Sequence, residues 1–207
     1  LSPSTATWVA LLLPLLAAPV IALVGRRPNL REAVTLVTGG ILFWVVVSLV
    51  PEVMQGNRPE FQILEVMPGL ALALKVEPLG MLFGLVASGL WIVTSLYAIG
   101  YMRGHHEENQ TRFFAFFAIA ISAALGVAFA RNMFSLFVFY EVLTLSTYPL
   151  VTHHRSEEAM RAGRVYMGIL LSTSVGFLLL AMVWTWQVAG TLEFTPGGIL
   201  TGKASNT

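Results

Sequence analysis

Apolar residues run along the chain in six long blocks separated by polar connections. The blocks cover residues 6–24, 33–50, 79–101, 113–130, 133–152 and 165–188. A helix crosses the apolar core of a bilayer in about 20 residues, so the pattern predicts six membrane-spanning helices. The longest connection, 51–78, has a different period. Leu70, Leu72, Leu74 and Val76 alternate with Ala71, Ala73 and Lys75, the period of a half-buried strand. With the extended-type run 61–67 before Pro68-Gly69, this predicts a β-hairpin. The tail, 190–207, is rich in Thr, Gly, Pro and Ser without periodicity and reads as a loop cut short.

Small residues punctuate two of the blocks. Ala118, Ser122, Gly126 and Ala130 recur every fourth residue in the fourth span, and Gly80 and Gly84 do so in the third. Such spacing lets helix backbones approach closely, so both faces are read as packing surfaces.

Composition agrees with a lipid-embedded chain. Hydrophobic residues make up 56% and charged residues 11%, against about 25% charged in a soluble domain, and the mean hydropathy is +0.75. The fold class expected is all-α, a polytopic transmembrane helix bundle with a short outer hairpin between spans two and three. A net charge of +1 supplies no field for nucleic acid. The absence of cysteine excludes disulfides, cysteine-held iron–sulfur clusters and a thiol nucleophile.

The loops after spans one, three and five hold Arg26, Arg27, Arg31, Arg103, Arg112, Arg155, Arg161 and Arg164. The opposite side has Arg58, Lys75, Arg131 and Lys203. The positive-inside rule makes the eight-residue side cytoplasmic and both ends of this stretch external, for a multi-pass protein of the cell's inner (plasma) membrane. The chain starts at Leu1, and residues 1–7 carry no charge. The first span therefore lacks the basic leader of a signal peptide and reads as a retained helix.

One charged residue, Glu141, falls inside the six blocks. It lies about 12 Å down its helix at 1.5 Å per residue. A carboxyl at that depth costs about 3 kcal/mol to insert and characteristically marks an ion or proton path. The alternative is a protonated acid that only hydrogen-bonds a neighbouring helix. Thr144 and Tyr148 share its face at i+3 and i+7, and Ser172 in the sixth span is a candidate for facing them. Backbone bonding within each helix is an equally good use for these hydroxyls. Pro149 frees the Leu145 carbonyl and is expected to bend the helix. His153 and His154 are candidates for a relay to the aqueous face. As helix neighbours they would point about 100° apart and could not jointly hold one ion. His105-His106-Glu107-Glu108 lacks the spacing of a zinc site and reads as a solvated loop. No nucleotide-binding motif is present, and no metal or cofactor is expected.

The stretch from Arg112 to Leu150, RFFAFFAIAISAALGVAFARNMFSLFVFYEVLTLSTYPL, resembles the fourth and fifth helices of the antiporter-like membrane subunits. This family is shared by respiratory complex I, membrane-bound hydrogenases and Mrp-type multisubunit cation/proton antiporters. LYAIGYM at the end of the third span and the outer hairpin fit the same family. Within it, YEVLTLSTYPLVTHHRSEEAMRAGRVYMGILL looks most like the D-type member of the Mrp antiporters. The resemblance implies a subunit of about fourteen helices in two inverted repeats. It also implies that Glu141 pairs with a lysine on a seventh helix, which this sequence does not contain.

The reading is therefore a partial sequence. Residues 1–110 form an N-terminal three-helix segment with the outer hairpin, and 111–207 begin the first proton-translocating repeat. The function expected is proton translocation within a multisubunit monovalent cation/proton antiporter, an ion-transporting subunit and not an enzyme. The partners expected are other membrane subunits, the bilayer, protons, and sodium or potassium as the exchanged ion. The rivals are a subunit of a proton-pumping NADH-quinone oxidoreductase or hydrogenase, and a structural or assembly subunit.

Overall fold

Helix starts in the computed structural model, which describes residues 2–203, follow local chemistry. The order is α1 (Pro3–Leu23), α2 (Pro28–Ser48), a short α3 (Val50–Met54), β1 (Glu60–Met67), β2 (Leu70–Lys75), α4 (Pro78–Gly104), α5 (Gln110–Ala128) and α6 (Met133–Val151). The last span runs from α7 (Glu157–Thr173) through a π-helical turn (Ser174–Leu179) into α8 (Leu180–Ala189). Proline opens α1, α2, α3 and α4, where its missing N–H has no helical partner to lose. Ser2, Asn132 and Ser156 cap α1, α6 and α7 by accepting from the N–H of Thr5, Ser135 and Ala159. Among the described residues, six helical spans are long and apolar enough to cross a membrane.

Two spans start five or more residues before their apolar blocks. The sixth begins at its Ser156 cap with Glu157 and Glu158 in the first turn, where acids favour the positive helix end. The second begins at Pro28 and thereby takes in Arg31 and Glu32, both buried.

The hairpin has antiparallel register Glu60↔Lys75, Phe61↔Leu74 and Met67↔Leu70. Its turn places Gly69 at φ +80°, a conformation that favours glycine. It does not float. Phe61 stacks on Trp8 of α1 at 4.9 Å, and the α5–α6 connection runs beside β2. There Lys75 N–H donates to Phe129 O at 2.6 Å and Arg131 N–H to Ala73 O at 3.1 Å. Ser135 Oγ accepts from Ala73 N–H at 2.9 Å. Ion pairs rim the sheet: Arg131 with Glu60 at 3.2 Å and with Glu193 at 2.8 Å, and Glu77 with Lys75 at 3.0 Å and Arg58 at 2.9 Å. Burial pushes the Glu77 carboxyl up, but its bonds from Lys75 and Arg58 hold it below the ordinary carboxylate value.

The tail is more ordered than its composition suggests. Met133 N–H donates to Leu192 O at 3.0 Å, Phe194 N–H to Arg131 O at 3.4 Å, and Leu192 is buried. Residues 192–194 thus form the outer border of the strand-like layer.

Helix α5 is the centre of the bundle, and its small residues work as expected. Ser122 Oγ donates to Leu11 O of α1 at 2.7 Å. A Cβ at Gly126 would overlap the Phe139 ring of α6, and one at Gly80 the Ala128 carbonyl. Burial falls off away from α5. In the apolar window of each span, 44% of α1 and of α5 is buried, but 17% of α6 and 11% of the last span. The open side of the bundle is the side of α6 and α7.

Helix α4 separates the hairpin end from the arginine-rich end by 27 residues, about 40 Å. With the arginine-rich end cytoplasmic, a cysteine at Glu65→Cys in β1 should react with an impermeant thiol reagent on intact cells, and one at Gly104→Cys should not. Labelling of Gly104→Cys alone would invert the orientation.

Candidate functional site: a mid-span carboxyl and the arginine-rich end

Helix α6 holds Glu141 part-way down its length, with its Oε1 fully enclosed and without a hydrogen-bond partner among the described residues. Thr144, one turn on, is buried. Tyr148 lies about 10 Å from Glu141 along the axis, and its ring packs where Gly163 lets α7 approach. Beside Tyr148 a cavity of about 580 Å³ opens between α5, α6 and α7, lined by Arg112, Phe116, Tyr148, Pro149, Thr152 and Arg155. The face of α6 that carries Glu141, Thr144 and Tyr148 therefore reaches an opening at the arginine-rich end.

Other hydroxyls are spent on backbone. Ser146 donates to Leu143 O and Thr147 to Thr144 O, each at 2.8 Å, and Thr152 donates to Tyr148 O at 2.8 Å. In the last span Ser172 is exposed and Ser174 is buried, so Ser174, and not Ser172, is the hydroxyl that meets the bundle. It lies at the start of the π-helical turn, where its Oγ donates to Leu171 O at 3.2 Å. Pro149 sits inside α6, which continues to Val151.

His153 and His154 depart from the expectation of divergent rings. Helix α6 ends at Val151 and the next residues form a turn, so helical spacing no longer governs them. Both rings approach one carboxylate: Glu107 Oε2 is 3.9 Å from His153 Nε2 and 3.7 Å from His154 Nδ1. Glu107 is thereby withdrawn from solvent into a cavity of about 230 Å³ shared by the α4–α5 and α6–α7 connections. No group of three His, Asp or Glu among the described residues is arranged to hold a metal ion.

Burial, reinforced by the charge of Arg112, holds the His153 imidazole below its ordinary pKa, with Glu107 acting in the opposite sense. The ring is neutral at pH 7, while in the unfolded chain it titrates near 6.5. As pH falls below about 6.5 the unfolded state binds the extra proton first, so acidification destabilises the fold until the lowered folded pKa is passed. Thermal unfolding should show an acid-side loss of stability that His153→Asn reduces. An unchanged pH profile in His153→Asn would show that the ring does not contribute.

A second polar cluster lies where the apolar pattern predicts only a connection. Arg31 and Glu32, 4% and 6% exposed, form an ion pair at 3.2 Å. Arg103 of α4 donates to both oxygens of Glu32, from Nε at 3.0 Å and Nη2 at 2.5 Å. Arg31 also donates to Gln110 Oε1 at 2.7 Å and Thr111 Oγ1 at 3.2 Å, and its guanidinium lies 5.2 Å from the centroid of the Phe114 ring. The cluster ties α2, α4 and α5 together. Pro28, a helix-start signal just upstream, is the feature that places Arg31 and Glu32 within the helix.

Comparison with known proteins agrees with this architecture. Residues 130–201 match the family described as NADH:quinone oxidoreductase/Mrp antiporter, TM. Over 184 residues the chain is 30% identical to Na(+)/H(+) antiporter subunit A1 of Staphylococcus aureus. The chain thus resembles Mrp/complex I-like antiporter-type membrane subunits. The alignment takes in 84% of this chain and 22% of that subunit, so the antiporter-like chain spans about a fifth of the relative's length.

Two solved structures share the fold. One is the Mrp complex from Dietzia sp. DQ12-45-1b, at a TM-score of 0.76 and 22% identity over 93% of this chain and 36% of that one. The other is the membrane-bound sulfane sulfur reductase, an archaeal respiratory membrane complex, at 0.75 and 20% identity over 90% and 28%. Both are structures of complexes, and at these identities the likeness is one of fold. The finer likeness to the D-type Mrp member, drawn from residues 140–171, finds no support in the Staphylococcus aureus relative, which carries the name subunit A1.

Proposed function

We propose that the antiporter-like chain conducts protons through Glu141, as part of a larger cation/proton antiporter subunit. The observation that carries this is the enclosed, unpartnered Oε1 of Glu141, on a helix face that leads by Thr144 and Tyr148 to the cavity at the arginine-rich end. A buried carboxyl has a raised pKa when alone and a lowered one when a cation stands beside it. Approach and withdrawal of a cation therefore release and recapture a proton. The cation is the lysine that the family resemblance implies on a further helix, facing the open side of α6 and α7. Residues 111–203 contribute to the translocating repeat, residues 2–110 brace it, and His153 and His154 with Glu107 exchange protons with the aqueous side. The role is ion transport within a complex, not catalysis by this chain.

Sodium is the exchanged ion favoured, because the Staphylococcus aureus relative is named a Na(+)/H(+) antiporter subunit. The fold shared with a respiratory complex supports a second reading, in which electron transfer elsewhere in the complex drives the same module. Neighbouring genes for small membrane proteins favour the antiporter, and genes for iron–sulfur and flavin subunits favour the redox complex. The proton-carrier role is tested by proton transport in everted vesicles, normalised to assembled complex, with Glu141→Gln beside wild type. Near-normal transport would overturn it.

A further inference from the structure

At the arginine-rich end, away from Glu141, the α1–α2 turn meets the last turn of α4 and the first of α5. Between them lies a cavity of about 470 Å³ lined by Arg27, Pro28, Asn29, Arg103, His106 and Gln110. We propose that this cavity holds the phosphate of an anionic phospholipid headgroup, bound by Arg27 and Arg103 with His106 at the rim.

Charge is the first argument. Arg26 and Arg27 are at the surface, and neither has an acidic partner among the described residues. Arg103 commits Nε and Nη2 to Glu32 and Asn29, which fixes the guanidinium plane and leaves Nη1 unused. Glu32, the acid that Arg103 touches, is already taken up by Arg31 and Arg103, and Glu107 turns to His153 and His154, so Arg27 keeps an uncompensated positive charge among the described residues. Helix α2 starts here with Pro28 and no side-chain cap, and its positive end adds to that field.

Rigidity is the second. Gln110 Nε2 donates to Met102 O at 3.2 Å and Glu107 O at 3.0 Å while its Oε1 accepts from Arg31. The wall is therefore built before any ligand arrives, which lowers the ordering cost of binding.

Depth separates a lipid from a free anion. Tyr97, Tyr101 and His105 form a stacked column up α4, with ring centroids 6.0 Å and 4.2 Å apart. Tyr97 is 70% and Tyr101 44% exposed. Exposed tyrosines of this kind mark the headgroup level of a bilayer, and Arg103 lies half a turn beyond Tyr101. On the membrane side of Arg26 and Arg27, Leu23 and Leu30 are exposed and offer an apolar surface to acyl chains. Basic pockets between helices at this depth suit phospholipid phosphates.

The test uses the protein extracted from its native membrane with its partner subunits, followed by native mass spectrometry after exchange into phosphatidylglycerol or phosphatidylcholine micelles. Wild type should retain phosphatidylglycerol and not phosphatidylcholine. Arg27→Gln should lower retention about five-fold, and Arg26→Gln with Arg27→Gln further, while Arg161→Gln with Arg164→Gln on α7 at the same end should leave it unchanged. Equal loss in the α7 pair, or unchanged retention in the Arg26 and Arg27 variants, would overturn the site. Displacement of the lipid by inorganic phosphate alone would reassign the cavity to the free ion and overturn the lipid assignment.

Discussion

Glu141→Gln should leave the assembled complex at wild-type abundance while proton transport falls by about a hundred-fold, the scale on which a positioned proton-transfer group contributes. Glutamine keeps the length and the hydrogen-bonding capacity of the side chain and removes only its titration. Glu141→Asp should retain part of the activity, because the carboxyl survives and only its reach shortens. A purely structural acid gives the reverse order. An amide would then serve as well as a carboxyl, Gln would be tolerated, and Glu141→Ala would lower the amount of complex. The enclosed Oε1 makes no bond among the described residues, so the helices of this chain lose no contact when it becomes an amide. Separating the two cases requires the amount of complex and the transport rate from the same vesicles. Lowered abundance with normal transport per complex would remove Glu141 from the proton path.

The spans were legible because insertion in lipid forces the backbone to satisfy itself within each helix, which leaves apolar blocks of helix length as the dominant signal. The hairpin was legible from the alternation 70–76 around Gly69. The small-residue faces were legible because the spacing of Gly80, Ser122 and Gly126 is itself the contact. Helix ends were not. A hydropathy block begins where charges stop, whereas a helix begins at its cap, and so Arg31 and Glu32 were set outside a helix that starts at Pro28. Pairing between distant segments was equally hidden. Leu192 and Phe194 border the layer through backbone bonds to 131–133, which demand no particular side chain, so a Gly- and Thr-rich tail carried no trace of them. His153 and His154 converge on Glu107 because the helix has ended, a fact that residue spacing alone cannot supply. Glu141 itself was the clearest signal, because charge within a span is rare and costly.

Glu32→Ala should destabilise the fold by about 3–5 kcal/mol, the cost of removing one member of a buried ion pair. Both oxygens of Glu32 accept from guanidinium groups, at 3.2 Å from Arg31 and at 3.0 and 2.5 Å from Arg103. Arg31 would keep its bonds to the neutral Gln110 and Thr111 and the Phe114 ring face, none of which carries a negative charge, and its Nε already lacks a partner. Without Glu32 it becomes an uncompensated charge among buried side chains, and Arg103 loses the anchor that holds α4 against α2. Exposed ion pairs such as Arg58 with Glu77 should contribute far less, about 0.2–1 kcal/mol each, because water already solvates both partners. The loss follows from the orphaned charge more than from the missing bonds, so a variant that removes both charges should recover most of it. Thermal unfolding of the purified protein should therefore place Glu32→Ala well below wild type, Arg58→Ala close to it, and Glu32→Leu with Arg31→Met above Glu32→Ala. A double variant no more stable than Glu32→Ala would mean that hydrogen bonding across α2, α4 and α5, and not the balance of buried charge, holds that end of the bundle together.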